Sequence, residues 1–159
     1  MTDCFTVEQR SAVMARVKGR NTAPELKLRR WLHAAGYRYR LHAPGLPGRP
    51  DLVFTRRRTA LFVHGCFWHG HACPRGARAP KTNAAYWTAK IGGNRRRDAE
   101  VEARLAAQGW SVLTVWECEL KAHAAVLARV RAALGPPQAA SEAGRSASAS
   151  AAMTSARAK

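Results

Sequence analysis

The chain has 159 residues, with 27 Lys plus Arg against 10 Asp plus Glu, a formal net charge of +17. That length holds one domain with a real core, and the charge puts a polyanion first among its partners. At 47% hydrophobic it is too apolar for a wholly disordered basic protein, and it lacks the run of about 18 apolar residues that a membrane span needs.

The elements follow in chain order. Met1-Thr2-Asp3-Cys4 lacks the basic start and apolar run of a secretory signal, so a cytosolic location is expected. There Cys4, Cys66, Cys73 and Cys118 stay reduced and suit a metal better than disulfides. Thr6 with Gln9 has the form of a capping box and opens a helix to about Val17. Thr22 and Glu25 repeat it, with Pro24 in the first turn, for a helix that buries Leu28, Trp31 and Leu32 and stops at Gly36. Tyr37 to Leu41 alternates as a half-exposed strand does. Asp51–Phe54 and Thr59–His64, around the basic turn Arg56-Arg57-Arg58, read as adjacent antiparallel strands. Asn94 to Gln108 reads as a helix, Trp110 to Trp116 as a buried strand and Lys121 to Leu134 as an amphipathic helix. Together these predict a mixed α/β sheet with helices on its faces. From Pro136 to Lys159 the chain is mostly Ala and Ser, with Met153 its one large apolar side chain. Such a segment cannot offset its ordering entropy, so a disordered tail is expected over 136–159.

The densest chemistry lies in His64-Gly-Cys-Phe-Trp-His-Gly-His-Ala-Cys73. Tetrahedral zinc takes four thiolate or imidazole donors. Cys66, His71 and Cys73 share one turn-rich segment, and Cys118 is the other cysteine of the body, so a Cys3His structural zinc site is the economical assignment. Buried or free cysteines without a metal are the alternative. His64 and His69 are then left over as candidates for acid–base work near neutral pH. Gly48-Arg-Pro-Asp51 leads into an apolar strand. An Asp at a strand start, beside a second strand that ends in polar residues, can hold Mg²⁺ through oxygen ligands.

Leu46-Pro-Gly-Arg-Pro-Asp51, Phe62-Val-His-Gly-Cys-Phe-Trp-His69, Tyr86-Trp-Thr-Ala-Lys-Ile91 with Asn94, and Gly109-Trp110 through Val115-Trp-Glu-Cys118 form a long ordered set. In these motifs the chain resembles the very short patch repair (Vsr) DNA mismatch endonucleases over about residues 8 to 120. The resemblance implies a restriction-endonuclease-like fold and a Mg²⁺-dependent enzyme that nicks duplex DNA 5′ to the thymine of a T·G mismatch. Such mismatches arise by deamination of 5-methylcytosine. It implies that Asp51 binds Mg²⁺ with the backbone carbonyl of residue 63, a main-chain role that Val63 can fill. It implies His69 as general base, His64 and Glu25 as supports of the hydrated metal or phosphate, and Cys66, His71, Cys73 and Cys118 as zinc ligands. Related nucleases place an acid and a lysine where this strand has Phe62 and His64.

Phe67 and Trp68 sit in a polar loop where burial does not account for them, and apolar wedges can unstack and kink a duplex. A weakly stacked T·G pair opens at less cost than a matched one. The resemblance implies that Phe67, Trp68 and Trp87 enter from the major groove and Met14 from the minor-groove side, with Lys90 near the mismatch and Asn94 in the interface. For Trp87 and Met14 the alternative is ordinary helix packing. Arginines in 16–40 and 95–97 read as phosphate contacts or a solvated basic face. The expected organisation is a DNA-contacting arm over 1–20, the nuclease domain over 21–135 and the tail over 136–159. A monomer in the bacterial cytoplasm, associated with the nucleoid and with mismatch-repair proteins, is the family expectation. Two rival readings stay open: a restriction-type endonuclease on matched DNA, and a zinc-stabilised DNA-binding module without catalysis.

Overall fold

A computed structural model describes residues 5–17, 19–78 and 80–137. The two apolar runs either side of the arginine turn do fold back on each other. β2 (Leu52–Phe54) pairs antiparallel with β3 (Thr59–His64), and the 3-10 turn Thr55–Arg57 between them closes at Arg58 in the left-handed region, φ 46°. β1 (Arg40–Leu41) pairs antiparallel with β2 on its other side. β4 (Ser111–Trp116) pairs parallel with β3, Val63 opposite Val115 and His64 opposite Trp116, for a sheet order β1-β2-β3-β4. A parallel pair needs a long crossover. Here α3 (Ala84–Ala107) supplies it.

Side chains alternate between the two faces of a strand, and that alternation divides the molecule. Leu52 and Phe54, Leu61 and Val63, and Leu113 and Val115 meet Leu28 and Leu32 of α2 (Ala23–Ala34) and Val126, Val130 and Leu134 of α4 (His123–Leu134) in one core. Phe62, His64, Val112, Thr114 and Trp116 point the other way, toward α3 and the cleft beneath it. The fold is thus a four-stranded mixed sheet between helices. Among the described residues no helix is long and apolar enough to cross a membrane.

Several elements depart from their sequence patterns. α3 starts ten residues before Asn94 and runs unbroken through Gly92 and Gly93. Each glycine costs a helix about 1 kcal/mol, and burial of Trp87 and Leu105 along the same helix offsets it. The first strand shrinks to Arg40–Leu41 because Tyr37 and Tyr39 pack edge-on against Phe54 instead of entering the ladder. β4 is half-buried along most of its length, with Val115 alone fully enclosed. The last helix starts at His123, after a 3-10 turn over Glu117–Lys121. The capping box at Thr6 and Gln9 is present on α1 (Val7–Ala15). At Thr22 it takes another form, in which the Glu25 carboxylate accepts from the Asn21 N–H and the Thr22 hydroxyl at 2.9 Å each. Pro136 and Pro137 are the described part of the expected tail; the rest of it, and Cys4, lie outside the described residues.

Candidate active site and metal centre

Gly48 carries the chain into the site. Its φ is +72°, and a Cβ there would strike the Val101 side chain at 2.4 Å, so only glycine brings this turn so close to α3. Asp51 then reaches the start of β2, where its carboxylate accepts the Val63 N–H at 2.8 Å. Burial, helped by the nearby Glu25, pushes the Asp51 carboxyl up to about 6 against the Val63 hydrogen bond and Arg29, which pull it down. Asp51, Val63, His64, His69 and Glu25 all line one cleft of about 880 Å³ between α3 and the sheet.

His64 and His69 stack face to face, with ring centroids 3.9 Å apart and planes at 5°. Burial, with the neighbouring His69, pushes His64 down to about 4, so its imidazole is neutral at pH 7. His69 Nδ1 lies 2.6 Å from Asp98 Oδ2. Ligand atoms of His64, His69 and Asp98 lie within 4.8 Å of one another. Asp98 is the residue that the sequence reading missed. Its signal lay in helical spacing, because Trp87, Ile91, Asn94 and Asp98 fall on one stripe of α3 and Asp98 is the acid after three arginines.

Glu25 is held as well as placed. Besides its two bonds at the helix start, it pairs with Arg29 at 2.9 Å, and Arg29 also reaches Asn21 Oδ1 at 2.6 Å and His42 Nε2 at 3.1 Å.

Beside the cleft, Cys66, His71, Cys73 and Cys118 bring four ligand atoms within 4.8 Å of one another. The local fold serves that gathering. His71 N–H donates to the Cys66 carbonyl at 3.0 Å, and at Gly76 a Cβ would lie 2.1 Å from the His71 carbonyl oxygen. The parallel β3–β4 register puts Cys118 beside Cys66, its N–H donating to Cys66 Sγ at 3.4 Å. Trp116 stacks on His71 with centroids 4.3 Å apart. Burial pushes the Cys66 thiol up to about 12, whereas the His71 hydrogen bond lowers Cys73 to about 6. A buried thiol of that kind ionises when a cation compensates it. Three thiols and an imidazole at this spacing fit a tetrahedral metal ion.

Phe67, Trp68 and Trp87 meet as one cluster, with centroid distances of 5.3 to 6.2 Å. Trp87 is only 8% exposed, while Phe67 and Trp68 are half-buried and Trp68 lines the cleft. Asn94 Nδ2 donates to the Trp68 carbonyl at 2.7 Å and its Oδ1 accepts from Arg97, so Asn94 ties the aromatic loop to α3. Lys90 is half-buried on the same helix. Met14 is half-buried on α1, which Arg10 docks to α3 by lying 5.0 Å over the Tyr86 ring.

The family described as DNA mismatch endonuclease Vsr matches residues 2–75 of this chain. The chain is 52% identical over 136 residues to the type II nicking enzyme V.XorIIP of Xanthomonas oryzae pv. oryzae, covering 86% of this chain and 99% of that protein. It is 44% identical over 121 residues to the type II nicking enzyme V.NmeAIP of Neisseria meningitidis, across 76% of this chain and 86% of the relative. Its identity to the DNA mismatch endonuclease Vsr of Escherichia coli is 41% over 121 residues, across 76% and 77% of the two chains.

Proposed function

The chain belongs to the Vsr family of DNA mismatch endonucleases, and from that premise we propose that it nicks duplex DNA 5′ to the thymine of T·G mismatches. It does so as a Mg²⁺-dependent monomer in the bacterial cytoplasm, at the nucleoid, and begins the repair of deaminated 5-methylcytosine, with mismatch-repair proteins as partners. A non-catalytic DNA-binding module is set aside, because the family is one of nucleases.

The observation that carries this reading is a single cleft that holds Asp51 together with the His69–Asp98 pair. With Nδ1 of His69 engaged by Asp98, Nε2 is the nitrogen that takes a proton from the water attacking phosphorus. Neutral His64, stacked on His69, supports a phosphate oxygen or a bound water by hydrogen bonding. Glu25, fixed by Arg29, does the same from the α2 side of the cleft. A divalent cation held by Asp51 and the Val63 carbonyl would stabilise charge on the scissile phosphate. Buried carboxylates on one wall of the cleft suit such a hard cation. Zinc on Cys66, His71, Cys73 and Cys118 would be structural, with all four positions filled by protein.

Phe67, Trp68 and Trp87 read the weak stacking of the mismatch, Met14 and the 1–20 arm meet the opposite groove, and Lys90 and Asn94 complete the interface. The 21–135 body, on a restriction-endonuclease-like fold, carries the chemistry. The test is incubation with Mg²⁺ and duplexes that differ only in T·G against T·A. One nick, 5′ to the mismatched thymine, is expected on the first and none on the second. Equal cutting of both, or cutting of both strands, would assign the chain to restriction-type chemistry instead.

A further inference from the structure

The catalytic cleft opens at the end of β2 that Asp51 starts. At the other end of that strand lies a second concavity of about 490 Å³, whose lining includes Arg38, Arg40, Arg56 and Arg57 with Tyr37 and Tyr39. No carboxylate is among its lining residues. Arg57 donates to the carbonyls of Leu134, Gly135 and Pro136 and lies 5.4 Å from the Tyr37 ring centroid. Arg38 donates to the carbonyls of His33 and Tyr37 at 3.2 and 3.0 Å. Those partners are backbone carbonyls, including ones at the C-terminal ends of α4 and α2, so both guanidiniums are held in place with no carboxylate against them. Arg40 and Arg56 are exposed and make no hydrogen bond or ion pair among the described residues.

Four cations around one concavity repel each other, and a cleft of one sign concentrates potential and counter-ions. The chain's own residues beyond 137 do not answer that potential, because they contain Arg145, Arg157 and Lys159 against Glu142. A protein partner would need an apolar anchor at the centre of its interface. Here Tyr37 and Phe54 are buried, and the Tyr39 hydroxyl is spent on the Arg29 carbonyl at 2.8 Å. What the groove offers is guanidinium groups, which match phosphodiester oxygens without regard to sequence.

We propose that this groove is a second, sequence-independent site for the phosphate backbone of DNA, separate from the cleft, through which one molecule holds a second duplex segment. Holding that segment keeps the enzyme near DNA between encounters with rare targets.

The test is Arg40→Gln/Arg56→Gln in the full chain, since neither side chain carries a structural contact. Binding of a labelled matched duplex is titrated at several salt concentrations, with and without one molar equivalent of a short unlabelled T·G duplex, which occupies the cleft and leaves the groove free. The wild type should capture the labelled duplex while the cleft is filled, and the variant should not. The slope of log affinity against log salt should fall by about two, and Arg40→Lys/Arg56→Lys should restore it. Single-turnover nicking of the short T·G duplex should stay unchanged. An unaltered slope with unaltered capture would overturn the proposal. So would an equal loss of nicking on the short duplex, which would make these residues part of the cleft's own interface. Binding of polyglutamate that depends on the two arginines, with DNA binding unaffected, would assign the groove to an acidic protein and overturn it too. The salt slope on matched duplex and the polyglutamate arm do not involve the T·G mismatch, so a failure of the cleft reading, seen as no nicking of T·G by the wild type, is distinguishable from a failure of this proposal.

Discussion

The Asp98 carboxylate faces His69 Nδ1 at 2.6 Å from a different element, 29 residues along the chain. An asparagine there would keep the shape but lose the carboxylate that orients the His69 ring through Nδ1. Asp98→Asn should therefore slow single-turnover nicking by about 10²-fold while affinity for a T·G duplex holds. A rate equal to wild type would remove Asp98 from the base's support. Asp51 makes a second prediction, about stability. Its carboxyl titrates at about 6 in the fold against 3.8 for the unperturbed group. Between those values the folded state binds more protons than the unfolded one, so this group's contribution to stability falls as pH rises from 3.8 to about 6 and is constant above. Asp51→Asn removes that penalty. Without added Mg²⁺ it should stabilise the protein by about 1–2 kcal/mol at pH 7.5, an advantage that fades toward pH 4. It should also abolish nicking. Thermal melts across that range, with and without Mg²⁺, check it, and a variant less stable than wild type at pH 7.5 would contradict the buried-charge account. At this scale sequence reading went half way. Side-chain chemistry marked Asp51, His64 and His69, whereas the partner that orients His69 was invisible because only packing of α3 on the sheet brings it there.

At the scale of elements, the loop from Cys66 to Cys73 and β4 depend on each other. Cys66, His71 and Cys73 leave the end of β3, and Cys118 follows β4, so a zinc ion there would clamp the parallel pair that carries His64 and Trp116. Metal binding at such a site is also folding energy. Cys118→Ser should lower stability across the whole domain, seen as a lower urea midpoint, and not act on turnover alone. Wild-type protein purified without chelator should contain about one zinc per chain. A metal-free wild type with the same midpoint as the variant would dismiss the clamp. The gathering of Cys66, His71, Cys73 and Cys118 was legible because soft donors are few and clustered, and the fold does bring their atoms within 4.8 Å of one another. α3 was harder to read, since Gly92-Gly93 interrupts its pattern and the cost is recovered only by burial of Trp87 and Leu105.

At the scale of the whole molecule, two kinds of DNA contact can be separated by how they respond to salt and to sequence. Trp68 lies in the cleft beside the aromatic cluster and has no charge. Its loss should remove roughly 1–3 kcal/mol of stacking, and mostly where unstacking is cheap, so Trp68→Ala should weaken T·G binding far more than T·A binding. Arg96 is exposed on α3. Arg96→Ala should weaken both duplexes about equally and reduce the salt slope by about one. Titration of both variants against both duplexes at two salt concentrations distinguishes them. Equal loss on the two duplexes for Trp68→Ala, with folding unchanged, would mean that the indole does not discriminate the mismatch.

What depends on local order can be read along the chain: two strands around an arginine turn, a cap at Thr6, three soft donors within eight residues at Cys66, His71 and Cys73, and a charge that calls for a polyanion. Periodicity, turn chemistry and side-chain type act over a few residues, so they can be read from the chain directly. The tertiary structure alone decided which distant residues meet. The parallel β3–β4 pairing brings Cys118 to Cys66 across 52 residues, and the α3 crossover lays Asp98 against His69 and Val101 against Gly48. It also divided the arginines, placing Arg95 and Arg97 in the cleft and Arg38 and Arg40 in a groove at the far end of the strands. Those meetings follow from burying two sheet faces at once, a constraint that belongs to the whole chain and to no single stretch of it.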